Sequence, residues 1–345
     1  MKILVTGSAG RLGEALMRGL RAGFGGTSHE AVGIGVLASP FTTHVGSIAD
    51  HGFVAYAMRG IDAVLHVATL HKLHVATHSK QAFIDANVTG TLNLLEAAAA
   101  TQVGAFVFTS TTSSFGDAMA PPPSAPAVWV DEALKRIPKN IYGATELAAE
   151  DPCGLFHRQH GMPCVVLRTS RFFPNRDDQK AARDRYAPAN AQGNELLDRR
   201  VDIEDVLSAQ LCAIERAAQI GFARCVISAT SPFTRDELQA LRDDLPAVVA
   251  HRVPQFEAEY AQRGWAMAPG IDRVYVNAMA RDELDWQPKH DFASAIATLR
   301  AGGDHQSALA RQVGVKGYHP NTHPTTQSNT HATTFADGPY PVAPR

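Results

Sequence analysis

An α/β fold with a doubly wound parallel sheet is what this sequence predicts, on three observations. Short apolar runs alternate with amphipathic segments of helical period through about residue 170. The first apolar run, Lys2–Thr6, passes directly into Gly7-Ser8-Ala9-Gly10-Arg11-Leu12-Gly13, with glycines at i, i+3 and i+6. The chain is 345 residues long and 45% apolar, enough to bury a large core. Alternation of this kind argues for parallel βαβ units covered by helices on both faces.

The strands are expected at Lys2–Thr6, Ala31–Val36, Ala63–Val67, Ala105–Thr109 and Cys164–Leu167. The helices between them are expected near Arg11–Leu20, Phe53–Met58, Lys80–Ala100 and Tyr142–His160. The glycine loop falls where a strand turns into a helix. Backbone N–H groups at a helix N-terminus, with the helix dipole, bind a pyrophosphate. Gly7 permits the tight turn, Gly10 lets phosphates reach the backbone, and Gly13 lets the helix pack close to the strand. The expected fold is therefore Rossmann-type, with ligands at the carboxyl ends of the strands.

Beyond Arg171 the pattern loosens. A helix is expected over Val201–Ala217, a strand over Cys225–Ser228, and a helix over Thr234–Leu241 opened by Thr234 with Glu237 three residues on, the signature of a capping box. The expected organisation is a dinucleotide-binding domain over 1–170, a substrate lobe over 171–317 with elements returning to the sheet, and a disordered tail over 318–345, whose His/Pro/Thr/Asn run is polar and aperiodic.

Composition narrows the function. A formal charge of −2 gives no broad field for nucleic acid or an anionic membrane. No run of 18 apolar residues is present and no signal peptide is read at the N-terminus, so a cytoplasmic protein without membrane span is expected. Cys153, Cys164, Cys212 and Cys225 have no Cys-x-x-Cys spacing and are read as reduced thiols. His71, His74 and His78 share a helical face near His66, but no carboxylate is interleaved, so a loop by the substrate pocket is expected there and no metal.

Four further segments complete a pattern. Asp62-Ala-Val-Leu-His-Val-Ala68 is a strand ending in small residues. Asn87-Val-Thr-Gly-Thr-Leu-Asn-Leu-Leu-Glu lies on the long helix. Phe106-Val-Phe-Thr-Ser-Thr-Thr-Ser-Ser-Phe-Gly116 is a strand ending in hydroxyls. Tyr142-Gly-Ala-Thr-Glu146 opens a helix. With the glycine loop, and with Arg281-Asp-Glu-Leu-Asp-Trp-Gln-Pro288 near the end, they make the chain resemble the extended short-chain dehydrogenase/reductase family, in its NAD-dependent epimerase/dehydratase branch, over roughly residues 1 to 300. The resemblance implies an NAD(P)-dependent oxidoreductase or epimerase acting on a sugar or nucleotide-sugar hydroxyl by tyrosine-assisted hydride transfer. It implies Tyr142 as general acid/base and Thr111 as the hydroxyl that orients the same oxygen, with Ser113 as a second contact. It places the cofactor along Gly7, Ala9, Gly10, Arg11, Leu12, Gly13, Gly35, Ser47, Ile48, Val67, Ala68, Asn87, Thr109 and Tyr142. It places the substrate along Thr69, Thr111, Thr112, Ser113, Arg171 and Arg199, with Ser170 and Arg200 nearby. It also implies a homodimer through Lys80–Ala100 and Tyr142–His160.

Three positions depart from the family pattern. Glu146 stands one helical turn after the tyrosine, where the family has the lysine that lowers the tyrosine pKa; a carboxylate there raises it. Gly35 ends the second strand in place of the Asp that grips the adenosine ribose. Ser47 replaces a second acid before the next helix. NAD is the expected cofactor and NADP the alternative, with Arg11 the cation for a 2′-phosphate, since no Lys or Arg lies between Arg21 and Arg59. The departures are compatible with an active enzyme whose site is rearranged, with an impaired relative that acts as a nucleotide-binding or scaffold protein, or with substitutions particular to this one chain.

Overall fold

The computed structural model describes residues 1–172, 184–314 and 316. The tail expected over 318–345 lies outside the described residues. The elements in chain order are β1 Lys2–Thr6, α1 Arg11–Ala22, β2 Glu30–Gly35, β3 His44–Val45, α2 His51–Ala57, β4 Ala63–His66, α3 Lys80–Phe83, a π-turn Ile84–Thr89, α4 Gly90–Ala100, β5 Ala105–Thr111, β6 Val128–Val130, α5 Ile141–His160 and β7 Cys164–Thr169. Then follow α6 Pro188–Glu195, α7 Ile203–Ile220, β8 Phe222–Ile227, α8 Ala240–Asp243, α9 Leu245–Arg252, α10 Phe256–Arg263, β9 Arg273–Tyr275, α11 Ala278–Leu284, α12 Phe292–Arg300 and α13 Ala308–Val313.

Seven strands form one parallel sheet in the order β3-β2-β1-β4-β5-β7-β8. Its central strands read as continuous apolar runs because both faces are covered. On one face α1 and α7 bury Leu12, Leu16, Leu20, Val206 and Leu207 with Trp286 against β1, β4 and β5. On the other, α2, α4 and α5 bury Val54, Leu94, Leu95, Ala149 and Phe156 against Leu4, Val64 and Phe106. Trp286 is 1% exposed, and its indole Nε1 donates to Ser208 Oγ at 2.9 Å, which ties the late Leu-Asp-Trp segment to α7. A separate apolar cluster made by α6, α9, α10 and α12 forms a small lobe joined to the sheet side by the two-stranded parallel pair β6–β9.

The expected helix over Lys80–Ala100 is continuous in space but carries a π-turn at Ile84–Thr89. Such a bulge shifts the side-chain register within an otherwise helical run, which periodicity alone does not reveal. The expected helix over Thr234–Leu241 is instead a 3-10 turn, Arg235–Glu237, followed by the short α8. The Thr234/Glu237 pairing is present, with Glu237 Oε2 accepting from Thr234 N at 2.8 Å. A good cap was read correctly, but the length of helix behind it was not.

The sheet order reverses between β1 and β4, and the loops after these two strands diverge there. They are held by one hydrogen-bonded chain. Thr6 Oγ1 accepts from Val67 N and Ala68 N at 3.0 and 2.9 Å and meets His66 Nδ1 at 2.9 Å. His66 Nε2 meets Thr91 Oγ1 at 2.9 Å, and Thr91 donates to the Asn87 carbonyl at 2.6 Å. Proton counting fixes the directions. Thr91 has a single proton and gives it to Asn87, so His66 donates through Nε2 and accepts from Thr6 at Nδ1. Burial holds this imidazole neutral, its pKa pushed down to about 3.

Below pH 6.5 an unfolded imidazole takes up a proton that buried His66 refuses until about pH 3. Stability contributed by neutral His66 is therefore present above pH 6.5 and lost as pH falls through that window. His66→Phe, which leaves the Thr6 hydroxyl without an acceptor, is expected to cost about 2 kcal/mol at pH 7 and to flatten the loss of stability between pH 6.5 and 3. Urea unfolding of both proteins across this range checks it; an unchanged pH slope would refute the assignment.

Candidate active site

A cleft of about 510 Å³ opens along the carboxyl ends of β1, β2, β4, β5 and β7. Every residue named above for cofactor, substrate or catalysis lines it except Asn87, Glu146 and Arg200, which are buried at 2%, 1% and 8% exposure.

At one end lies the glycine turn. Gly7 has φ +65°, and a Cβ there would come within 2.9 Å of Ala68 Cα; the loop after β4 can close on the turn only because Gly7 lacks a side chain. A Cβ on Gly13 would lie 2.1 Å from the Gly7 carbonyl oxygen, so α1 starts in direct contact with the end of β1. Gly10 caps α1 and brings no side-chain hydrogen bond to its first turn. Helix N-termini of this kind accept a pyrophosphate, and the absence of Cβ atoms leaves the backbone open to it.

The neighbouring wall contains Gly35, Val36, Gly46, Ser47 and Ile48. A Cβ on Gly35 would meet Gly7 Cα at 3.6 Å, an ordinary contact, so a side chain fits there without displacing the glycine turn. Ser47 Oγ accepts from Ala49 N at 3.2 Å, and Asn93 Nδ2 fixes the Ile48 carbonyl at 2.9 Å. Arg11 lines the cleft, yet it is 2% exposed and its Nε donates to the Gly314 carbonyl at 3.3 Å. The segment after α13 thus engages the cation expected to read a 2′-phosphate.

In the middle stand the catalytic candidates. Gly143 sets their spacing: a Cβ there would be 2.6 Å from the Ser113 carbonyl, so α5 begins hard against the turn that follows β5. Asn140 caps α5 through Gly143 N at 3.0 Å. Tyr142 and Thr111 are brought side by side. The Thr111 hydroxyl accepts from Ser113 N at 3.1 Å, leaving its own proton for the phenol oxygen. Tyr142 is nonetheless pushed well above the usual phenol range, first by burial and then by Glu146, against a smaller opposing effect of the Thr111 bond. Thr109 Oγ1, below them on β5, accepts from Gln210 Nε2.

Asn87 and Glu146 act from behind the wall. Asn87 Oδ1 accepts from Leu70 N at 2.8 Å, and its Nδ2 donates to the Leu70 carbonyl and to Thr145 Oγ1, each at 3.0 Å. The Glu146 carboxyl meets Thr69 Oγ1 at 2.6 Å. Both side chains hold the loop after β4 in place.

The far end carries arginines. Arg171 pairs through its backbone with Arg199 and Val201, which sets Arg171 beside Arg199. Their side chains, with Arg200, converge on Glu195: Arg199 Nη2 at 3.1 Å, Arg171 Nη1 at 3.5 Å and Arg200 Nη2 at 2.5 Å from its oxygens. Asp198 Oδ2 lies 3.9 Å from Arg199 Nε, so this end is a network of guanidiniums and carboxylates of which Arg171 and Arg199 line the cleft. Arg273, Tyr275 and Lys139 also line this end and were not foreseen from the sequence. Arg273 and Tyr275 lie two apart on β9 and so share a face, a period-2 signal present in Arg-Val-Tyr. Lys139 precedes the α5 cap, and its Nζ lies 3.2 Å from Asp117 Oδ1.

The expected helical face of histidines is a 3-10 turn, Lys72–Ala76, in which His74 Nδ1 accepts from His71 N at 2.9 Å. Among the described residues no three His, Cys, Asp or Glu side chains are grouped to hold a metal, no helix is long and apolar enough to cross a membrane, and the four cysteines are free.

A parallel sheet with a glycine turn at its switch point, and a tyrosine beside it, defines a Rossmann-type α/β protein. Comparison with known proteins gives the family. Residues 3–221 match the model of the NAD dependent epimerase/dehydratase family, and the chain belongs to it. It is 26% identical over 321 residues to a UDP-glucose 4-epimerase of Streptomyces lividans, covering 83% of this chain and 91% of that protein. It is 30% identical over 197 residues to a dTDP-glucose 4,6-dehydratase of Streptomyces niveus, covering 52% of this chain and 56% of that protein. The match to a UDP-glucose 4-epimerase of Rhizobium meliloti (strain 1021), at 38% identity, spans 30% of that protein. The chain thus spans about half or less of the length of two of these relatives. The fold is that of the UDP-Glc/GlcNAc 4-epimerase of Campylobacter jejuni, with a TM-score of 0.62 at 19% identity over 90% of this chain and 99% of the other.

Gly13→Ala is expected to weaken NAD binding at least about tenfold, ~1.4 kcal/mol, because the added methyl must displace the Gly7 carbonyl. Gly143→Ala is expected to leave NAD binding unchanged and to separate Tyr142 from Thr111. Calorimetric titration of the two variants with NAD checks the contrast; equal losses would contradict this division of the cleft.

Proposed function

We propose that this chain binds NAD and acts on a hydroxyl-bearing carbon of a sugar or nucleotide sugar, with Tyr142 carrying the proton. The observation that supports this most is the placing of Tyr142 and Thr111 between a glycine phosphate cradle and an arginine-lined pocket. NAD fits the residues present: the uncapped α1 N-terminus, the side-chain-free backbone at Gly7 and Gly13, and the side-chain-free wall at Gly35. When bound, the nicotinamide supplies the chemistry of giving and taking a hydride. This chain's residues do the rest. Thr111 orients the reacting oxygen, Tyr142 exchanges its proton, and Arg171, Arg199 and Arg273 match the charge of a diphosphate. NAD is favoured over NADP because Gly35, Val36, Gly46 and Ser47 bring no cation and Arg11 is engaged by Gly314.

A second reading, a nucleotide-binding protein without turnover, is favoured by Glu146. With a carboxyl and no ammonium one turn from it, Tyr142 has only the smaller effect of the Thr111 bond to stabilise its phenolate. A homodimer through α4 and α5 belongs to the first reading, and sedimentation tests it: a species of one chain mass throughout removes it.

Titration of the cofactor-stripped protein with NAD and NADP, followed by a panel of nucleotide sugars, separates the readings. Micromolar NAD binding with turnover supports the enzyme, and Tyr142→Phe should then lower kcat by roughly 100- to 10,000-fold with NAD affinity unchanged. NAD binding by the unaltered chain with no turnover of any nucleotide sugar would establish the second reading.

A further inference from the structure

Helix α5 carries two buried glutamates one turn apart, and their surroundings differ completely. Glu150 is fully buried, with Arg168 Nη2 at 2.7 Å, Arg224 Nε at 3.3 Å, Arg136 Nη1 at 3.5 Å and the Ser110 hydroxyl donating at 2.7 Å. Three guanidiniums hold it as a carboxylate. Glu146 is 1% exposed and, among the described residues, meets only Thr69 Oγ1 through Oε1, while its buried Oε2 has no hydrogen-bond partner among them. An ionised carboxylate so placed would lack all but one of its donors, at a cost no protein group nearby offsets.

The Thr69 hydroxyl decides where the proton is. It stands 2.6 Å from Glu146 Oε1 and 3.2 Å from the Leu70 carbonyl. A carbonyl only accepts, and a hydroxyl has one proton to give. Both contacts are hydrogen bonds only if Glu146 donates to Thr69 and Thr69 donates to Leu70. Leu70 is gripped a second time by Asn87, on both its N–H and its carbonyl. The same loop carries Thr69, Leu70 and His71 into the cleft wall, and its Ala68 is the residue that closes on Gly7.

We infer that Glu146 is a positioning residue that acts as a neutral carboxylic acid, its proton on Thr69 Oγ1 and the Thr69 proton on the Leu70 carbonyl, clamping the loop after β4 to α5 where that loop walls the cleft. The turn in the family that elsewhere brings a cation beside the tyrosine here brings an uncharged latch. The titratable groups of the packed elements agree with this. Lys72 and His74 sit on the 3-10 turn against α5, Lys80 and Asp85 on the helix and π-turn, Glu96 on α4, Arg168 and Cys164 on β7, and Tyr142 and Glu150 on α5 itself. Burial keeps His74 neutral, at about 4, and Arg168 is taken by Glu150. Burial, with the smaller repulsion from Glu150, pushes the Glu146 pKa up to about 8 against the opposing effect of the Thr69 bond.

The sign of the pH effect follows. Between pH 4.5 and about 8 the folded chain retains a proton that the unfolded chain gives up, so stability falls as pH rises across that window. Glutamine keeps the shape and one donor and has no proton to lose. Tm of Glu146→Gln should therefore equal that of the unaltered protein near pH 4.5 and exceed it increasingly up to pH 8, with a constant gap beyond. Carbon-13 NMR of glutamate-labelled, unaltered protein should show a carboxyl titrating near pH 8 that is missing in Glu146→Gln. If every glutamate titrates below about pH 6, or the Tm gap does not vary with pH, Glu146 is an ordinary carboxylate and the inference fails. A third arm rests on the proposed binding of NAD: Glu146→Leu, which cannot donate to Thr69, should lower NAD affinity several-fold, and Glu146→Gln should restore it. Equal affinities in both variants would overturn the link to the cleft, while the NMR and Tm arms stand independently of whether NAD is the ligand.

Discussion

The sheet reverses its winding between β1 and β4, and everything that follows in this molecule depends on holding the two diverging loops at that seam. The chain Thr6–His66–Thr91–Asn87 does this with an uncharged imidazole acting as a two-ended connector. It fixes β1 against β4 and both against the helix that crosses behind them. The glycine turn, the small-residue loop after β4 and the π-turn therefore form one rigid corner. A cleft whose floor is set this way needs no ligand to shape it, and preorganisation of that kind reduces the ordering cost of binding.

Polar groups succeed one another along the cleft. The glycine turn offers backbone N–H groups and a helix dipole, the middle carries Tyr142 and Thr111, and the far end carries Arg171 and Arg199 on Glu195, Arg273 on Asp272 and Lys139 beside Asp117. The extended anionic ligand proposed above would meet N–H donors at one end and guanidiniums already oriented by carboxylates at the other. Within α5 the contrast between Glu146 and Glu150 shows how strongly surroundings outweigh residue type: the same side chain is an acid at one turn and a carboxylate at the next.

Much of this was legible in the sequence. Strands β1, β2, β4, β5 and β7 and the glycine turn were read because a buried parallel strand and a phosphate cradle each leave a local, periodic signature. The residues expected at those strand ends line one cleft for the same reason. Asn87 and Glu146 were read as facing the ligand, since position in a motif says nothing of which way a side chain turns; the π-turn at 84–89 and the Thr69 hydroxyl direct them behind the wall. Arg273 was missed because its place in the cleft is made by a distant pairing, β6 with β9, that no local pattern encodes; Lys139, three residues before Tyr142, carried no motif signal of its own. The small lobe was read poorly, since its helices are short and capped by individual side chains more than by periodicity.

The bond from Arg11 to the Gly314 carbonyl joins residues 303 positions apart, and Lys316 with Glu14 repeats the connection. The polar flank of α1 is thus covered only once a segment distant in sequence is in place. Long-range closure of this kind slows folding, because the loop entropy is lost before the contact forms. The glycine turn beside that helix is in consequence among the parts of the fold that are completed late.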